Sequence, residues 1–323
     1  MGTIADKLQA VVNSKAAIKA AIEAKGVADV GDVLSAYPDK IASISSGGWT
    51  GHADEAGLKA IGWTDEDIAY YQKYGVNWNE EDDQYHLVPE NNKALYGVLT
   101  ASNISAYKDR IVYLPKIDTS GRKSLSNLCA NCYSLVAIPK LDTSAATSMY
   151  GMFYTCRSMV CVPILDTSNV DSMEKMFYGC YTLQFIPNID MSNTIVAAQM
   201  FYSCYSLRDI RLLNVPKISS IMGMFYSCYS LTSLTLDTNA IMADNAFEAC
   251  RSIVHLWING LSTSIDTRYT SLLSKDSLIY MIQNAAPTSA ITITLSSYCY
   301  NRYNFDPDVV AALSAQPLVS LAY

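Results

Sequence analysis

One block of residues recurs through the middle of this chain, and the recurrence constrains the fold more than any other feature. Cys132, Cys156, Cys180, Cys204 and Cys228 each follow the last by 24 residues, in the strings ANCYSL, YTCRSM, YGCYTL, YSCYSL and YSCYSL. A shorter unit ends at Cys250 in EACRSI, 22 residues on. The same 24-residue step joins Pro115, Pro139, Pro163 and Pro187, and also Asp118, Asp142, Asp166 and Asp190. It joins Phe153, Phe177, Phe201 and Phe225 as well, each preceded by Met152, Met176, Met200 or Met224. A fixed period of this length marks a solenoid, because one unit cannot bury its apolar side alone and stacked neighbours bury theirs together. The expected fold is an α/β repeat, a short leucine-rich-type solenoid over residues 111–261 with coils about 4.8 Å apart.

Within a unit, residues such as Leu135, Ile138 and Leu141 read as a short extended segment. The proline column keeps those strands short and irregular, since proline lacks the ladder donor. The Asp-Thr-Ser that follows is a turn signal, its side chains bonding nearby backbone N–H groups. Stacked carboxylates repel, so the Asp column must be exposed and capped by turn amides, or else share a cation. The Met-Phe pair and the Cys point back into the core. Free cysteine packs as a small hydrophobe, and nine cysteines, an odd number, are poor evidence for a disulfide framework. Cys129 and Cys132 make a lone CxxC, a weak redox or zinc signal without a second pair.

The string LDTSNVDSMEKMFYGCYTL (165–183) and the Phe-x-x-Cys-x-x-Leu element resemble the BspA-type leucine-rich repeats of bacterial surface proteins, over about residues 111–260. That resemblance implies a binding surface built from repeats. The pattern departs from the ordinary Leu-x-x-Leu-x-Leu strand at the proline column.

Before the repeats, residues 1–45 read as a helical anchoring or oligomerisation segment. Ile4, Leu8, Val11, Ile18 and Ile22 have helical spacing over about 3–25, Gly26 is a helix stop, and a second short segment covers 32–44. The stretch IADKLQAVVNSKAAIKAAIEAKGV followed by LSAYPDKIASI resembles the opening segment of phage tail and other virion structural proteins, which implies docking to other virion proteins or self-association into a homo-oligomer. Residues 46–110 form a small mixed linker module, similar to modules that precede repeats in phage adhesins. It has a short helix over 54–61, a second helix opened by a capping box at Thr64 and Asp67, an acidic run Glu80–Asp83 read as a solvated loop, and a further helix that starts over Asn91–Tyr96. Residues 262–323 read as a C-terminal capping unit, with helices over 274–285 and 306–315 and strands over 291–295 and 317–322.

The chain holds 23 Tyr against 7 Phe and 4 Trp. Tyr154, Tyr178, Tyr202 and Tyr226 follow the core Phe; Tyr133, Tyr181, Tyr205 and Tyr229 follow the core Cys, with Arg157 in the second unit's place. If Phe and Cys face inward, these neighbours face partly outward and form two columns along one side. The rings then stack and cover the coil edge, or present a rigid recognition surface with polar tips. These nine residues are the candidate binding residues, and Tyr298, Tyr300 and Tyr303 are candidates to extend the surface.

A net charge of -7 and the absence of a Lys/Arg-rich stretch set nucleic acid aside. No run of about 18 apolar residues exists for a membrane span. The opening residues lack an unbroken apolar run, so export by the general secretory route is not expected. No Walker loop, Gly-x-Ser-x-Gly elbow or His-Glu-x-x-His is present, and repeated Asp copies are unlike a unique catalytic pair. The expectation is a non-enzymatic virion protein of a tail fibre or appendage, needing no cofactor or metal, whose repeats bind a host cell-surface glycan or protein. A bacterial surface adhesin and a purely structural virion protein are the alternatives.

Overall fold

The structure, a computed structural model, describes residues 55–73, 93–187, 189–218, 220–237 and 245–323, without the side chains of 209 and 211–214. The helices expected before residue 46 and the acidic run at 80–83 lie outside the described residues. The chain divides into two compact units, Met1–Lys59 with Thr64–Leu87, and Ala60–Trp63 with Val88–Tyr323.

Helix α1 is Glu55–Ala60 and helix α2 is Asp65–Lys73. The start of α2 is the reciprocal cap expected from its sequence. The Asp67 N–H donates to Thr64 Oγ1 at 3.1 Å, and Thr64 N–H and Oγ1 donate to Asp67 Oδ2 at 2.9 and 2.7 Å. Of the helix expected to start over 91–96, residues 91 and 92 lie outside the described residues, Lys93 is helical, and turns follow over 94–98. Gly97, at φ +79°, takes the left-handed conformation that stops a helix.

From residue 111 onward, successive 24-residue units hydrogen-bond side by side. Phe153, Phe177 and Phe201 N–H groups each reach the Met carbonyl one unit on (Met176, Met200 and Met224) at 2.9 Å. On the other arm, Val136 N–H reaches Val112 O at 2.8 Å and Gln184 N–H reaches Val160 O at 2.9 Å. Units carrying proline touch there by single parallel bridges, Tyr113 with Ala137 and Cys161 with Phe185. Where the column holds Arg211 and Thr235 instead, full strands form: β1 is Asp209–Asn214, β2 is Ser233–Asp237 and β3 is His255–Asn259, in an open parallel sheet of that order. Restoring the backbone donor restores the ladder. β1 pairs irregularly between Ile210 and Leu213, holding one residue more than β2.

Each of the first five units carries a pair of left-handed residues four positions apart, at φ between 55° and 71°. Asn127, Gly151, Lys175, Gln199 and Gly223 form one column; Asn131, Thr155, Gly179, Ser203 and Ser227 form the other. They bracket the Met-Phe-Tyr stretch, and their N–H groups bond the next unit, as in Gly151 to Glu174 O at 2.9 Å and Gly179 to Tyr202 O at 2.8 Å.

The core holds the expected columns. Phe153, Phe177, Phe201, Phe225 and Phe247 are fully buried, their rings stacked at 5.5–5.8 Å. The cysteine column adds a feature beyond packing: Cys180, Cys204 and Cys228 Sγ each donate to the carbonyl of the Phe 27 residues earlier, at 3.1–3.2 Å. Cys156 does the same to Cys129, at 3.0 Å. Cys129 therefore occupies the first place of the Phe column and Cys132 the first place of the Cys column, which accounts for the CxxC. All nine cysteines are free and buried.

The C-terminal segment shares this core, which runs from Leu95 to Val319. β4 is Ile265–Thr267, α3 is Lys275–Gln283, β5 is Ile291–Leu295, α4 is Ser297–Tyr303, α5 is Pro307–Ala315 and β6 is Val319–Ala322. β4, β5 and β6 form a second open parallel sheet with a 28-residue step, Ile265 opposite Ile293 and Ile291 opposite Val319. Ser274 caps α3 through the Ser277 N–H, and Asp306 caps α5 through the Asp308 N–H with Pro307 in the first turn. β4 and α4 were not anticipated.

Candidate functional site

The two tyrosine columns are placed by the residues on either side of them. Tyr154, Tyr178, Tyr202 and Tyr226 each follow a fully buried Met-Phe pair, between the two left-handed positions. All four are half-buried, and their rings stack in register at centroid distances of 4.9, 4.7 and 4.4 Å. The column ends on Glu248, whose Oε1 accepts from the Tyr226 hydroxyl at 3.4 Å.

The second column runs Tyr133, Arg157, Tyr181, Tyr205, Tyr229. Its last three rings stack at 4.7 and 5.0 Å. Arg157 fills the gap, its guanidinium 4.7 Å from the Tyr133 ring centre and 5.5 Å from that of Tyr181. Tyr133 and Tyr229 are 40% and 43% exposed, Arg157 is exposed, and Tyr181 and Tyr205 are half-buried. Backbone bonds between units hold this register. Ser158 N–H reaches Tyr133 O, Thr182 N–H reaches Arg157 O, Ser206 N–H reaches Tyr181 O and Ser230 N–H reaches Tyr205 O, at 3.1–3.3 Å. Those hydroxyl residues form a third column beside the tyrosines, legible in the recurring Tyr-Ser-Leu but not singled out from it.

Stacking leaves ring edges and hydroxyls, rather than ring faces, toward solvent. Burial, then the neighbouring Tyr154 ring, raises the Tyr178 hydroxyl above its ordinary pKa. Burial and the flanking Tyr226 and Tyr178 push Tyr202 up to about 12. Both phenols therefore stay protonated at neutral pH and available to donate. Lys175 lies near this surface, 5.7 Å from the Tyr150 ring centre, but its charge is paired with Glu174 at 2.8 Å.

All nine expected binding residues thus fall in two continuous ladders. The extension into the C-terminal segment is corrected. Tyr303 is buried with its hydroxyl donating to Leu273 O at 3.1 Å, and Tyr300 packs on the core against Tyr323. Tyr298 alone of the three is well exposed. The cause is α4, whose turn directs Cys299 and Tyr303 inward.

The Asp column is a row of turn caps. Asp118, Asp142 and Asp166 Oδ1 each accept from the N–H and Oγ of the Ser two residues on, at 2.6–3.1 Å, and Asp190 accepts from Ser192 N–H at 2.9 Å. The Ser hydroxyl bond holds each carboxyl below its usual pKa. Among the described residues no group of His, Cys, Asp or Glu is arranged to hold a metal ion, and no helix is long and apolar enough to cross a membrane.

The described residues combine short parallel strands and helices with 24-residue units that hydrogen-bond side by side. Residues 123–239, inside the repeats, match the family described as Mycoplasma protein of unknown function, DUF285. No curated protein matches the chain.

Proposed function

We propose that this protein is a non-enzymatic phage virion component of a tail fibre or similar appendage, whose repeats form a leucine-rich-type solenoid of the BspA kind and bind a receptor on the host cell surface. The N-terminal 45 residues attach it to other virion proteins or to its own copies, and the tyrosine ladders contact the host. The observation that carries the binding part is the pair of unbroken columns. Seven of their eight tyrosines stack ring on ring and the other joins through Arg157, all rigidly held and reaching solvent. Rigid tyrosines with polar tips give contact area at low entropy cost, which suits recognition, and several copies on one particle would add avidity. The virion assignment rests on the resemblance of the N-terminal segment. The resemblance of the repeats to surface proteins keeps a bacterial adhesin as the second reading.

The test is binding of the fluorescently labelled full chain to a panel of intact bacteria, beside a variant with Tyr154, Tyr178, Tyr202 and Tyr226 changed to Ala. The expected result is binding of the parent to some strains and at least a tenfold loss in a variant that still folds. Absence of binding to every strain, even for the artificially trimerised parent, would overturn the reading in favour of a structural role.

A further inference from the structure

We propose that Arg157 is an anion-reading residue within the tyrosine surface and that the ligand it meets is an acidic glycan, a polysaccharide bearing carboxylate or sulfate groups; this deepens the recognition reading above and rests on it. Arg157 stands where every other described unit from the first to the fifth has Tyr. Its guanidinium replaces a ring in the stack, 4.7 and 5.5 Å from the ring centres of Tyr133 and Tyr181. Both rings lie within cation–π range of the guanidinium. The group carries five N–H donors in a planar fork that matches an oxyanion two bonds at a time. The side chain is exposed, and among the described residues no carboxylate pairs with it. Lys175 differs, since Glu174 neutralises it. An exposed arginine flanked by two rings and paired with no carboxylate among the described residues is a pre-formed half of an ion pair, and ordering it costs little on binding.

The surroundings select among anionic partners. An extended peptide would need an open strand edge or side-chain pockets. Here the backbone is already spent between units, with Thr182 N–H and Oγ1 both donating to Arg157 O at 3.3 and 2.8 Å. Tyr181, Tyr205 and Tyr229 give their faces to one another and Arg157 lies over Tyr133 and Tyr181, so little ring face inside the column is left for apolar groups. The column offers a row of phenol hydroxyls beside Ser134, Ser158, Ser206 and Ser230. A hydroxyl-rich chain with a periodic acidic group satisfies both features. The net charge of -7 repels polyanions in general, so retention of one would have to come from a local site.

The experiment passes the full chain over immobilised polygalacturonate, dextran sulfate, neutral dextran and poly-glutamate at moderate salt, with Arg157→Gln and Arg157→Lys alongside and folding checked by circular dichroism. The expected result is retention on polygalacturonate or dextran sulfate, the better of the two telling carboxylate from sulfate, with none on neutral dextran. Arg157→Gln should weaken it at least tenfold, and Arg157→Lys nearly as much, because an ammonium keeps the charge but not the planar fork. No retention on either acidic polysaccharide, equal retention of Arg157→Gln, or equal binding to poly-glutamate each overturns the proposal. The same variants on intact bacteria separate the two claims. Cells bound equally by Arg157→Gln, but not by the four-tyrosine variant, leave the recognition surface standing and remove the arginine's role. Arg157-dependent retention on the polymer with no binding to any cell supports the arginine and overturns the recognition reading.

Discussion

The phenylalanine and tyrosine columns are neighbours in sequence, share one period and stack in much the same way, yet they do opposite things. Phe153, Phe177, Phe201 and Phe225 stack at 5.5–5.6 Å with no exposed surface, whereas Tyr154, Tyr178, Tyr202 and Tyr226 stack at 4.4–4.9 Å and reach solvent. Stacking alone therefore says little about what a column contributes. Burial decides it: the Phe ladder removes large apolar area from water and binds unit to unit, while the Tyr ladder mainly orders a surface. Cutting each ladder at the same level separates the two roles. Phe201→Ala should cost about 3–5 kcal/mol, the range for truncating a core aromatic, read as a lower midpoint in chemical denaturation. Equal losses for Phe201→Ala and Tyr202→Ala would mean that the tyrosines are structural and would weaken the case for a binding face.

Both columns belong to a stretch that two left-handed residues bracket, Gly151 and Thr155 in the second unit, and Gly151 is where the weight of that conformation can be tested. A Cβ there would lie 2.5 Å from Asn127 Oδ1, on a backbone at φ +55°. Gly151→Ala should cost about 1–2 kcal/mol, the penalty for an L side chain in that region. A neutral result would show that an L side chain is carried at this position without strain, as Lys175 and Gln199 are in theirs.

Next in size is Tyr202→Ala itself. Removing a ring stacked on Tyr178 and Tyr226 should cost about 1 kcal/mol, with Tyr202→Phe near neutral in stability. Binding should follow the other order: if the hydroxyls make the contacts, Tyr202→Phe weakens attachment to cells while leaving the denaturation midpoint in place.

The residues differ in how openly they announce these roles. The period, the inward Met, Phe and Cys and the Asp-Thr-Ser turn are legible because each column keeps one residue type and burial or capping demands that type. The short strands are legible through the prolines, and their recovery at β1 and β2 follows the loss of proline. The left-handed columns are not legible, since Asn127, Lys175 and Gln199 share a conformation with Gly151 and Gly223. The conformation is imposed by bonds to the next unit, so residue identity carries almost no trace of it. The thiol donation to the Phe carbonyls is hidden for a similar reason, because a cysteine that packs and one that also donates look alike. Tyr303 misled because Ser-Tyr-Cys-Tyr-Asn-Arg-Tyr carries no strong helical pattern, and without α4 nothing points its last ring inward. Arg157 is legible as an exception in its column, but its sandwich between two rings needs the spacing of the coils.

The smallest expected effect separates the tyrosines by pH. Tyr202 is pushed up to about 12, first by burial and then by Tyr226 and Tyr178, against an ordinary value of 10.0. In the folded chain it keeps its proton through a range where the unfolded chain has released it. Between those two values the native state binds more protons, so stability falls as pH rises. The contribution is complete below pH 10 and lost as the pH climbs toward 12. A stability profile should therefore decline more gently in that window for Tyr202→Phe than for the parent. Ultraviolet titration should also show one fewer late-ionising phenol in the variant. Identical profiles would mean that Tyr202 ionises like an open surface tyrosine, and the ladder would then be a looser stack than its ring spacing implies.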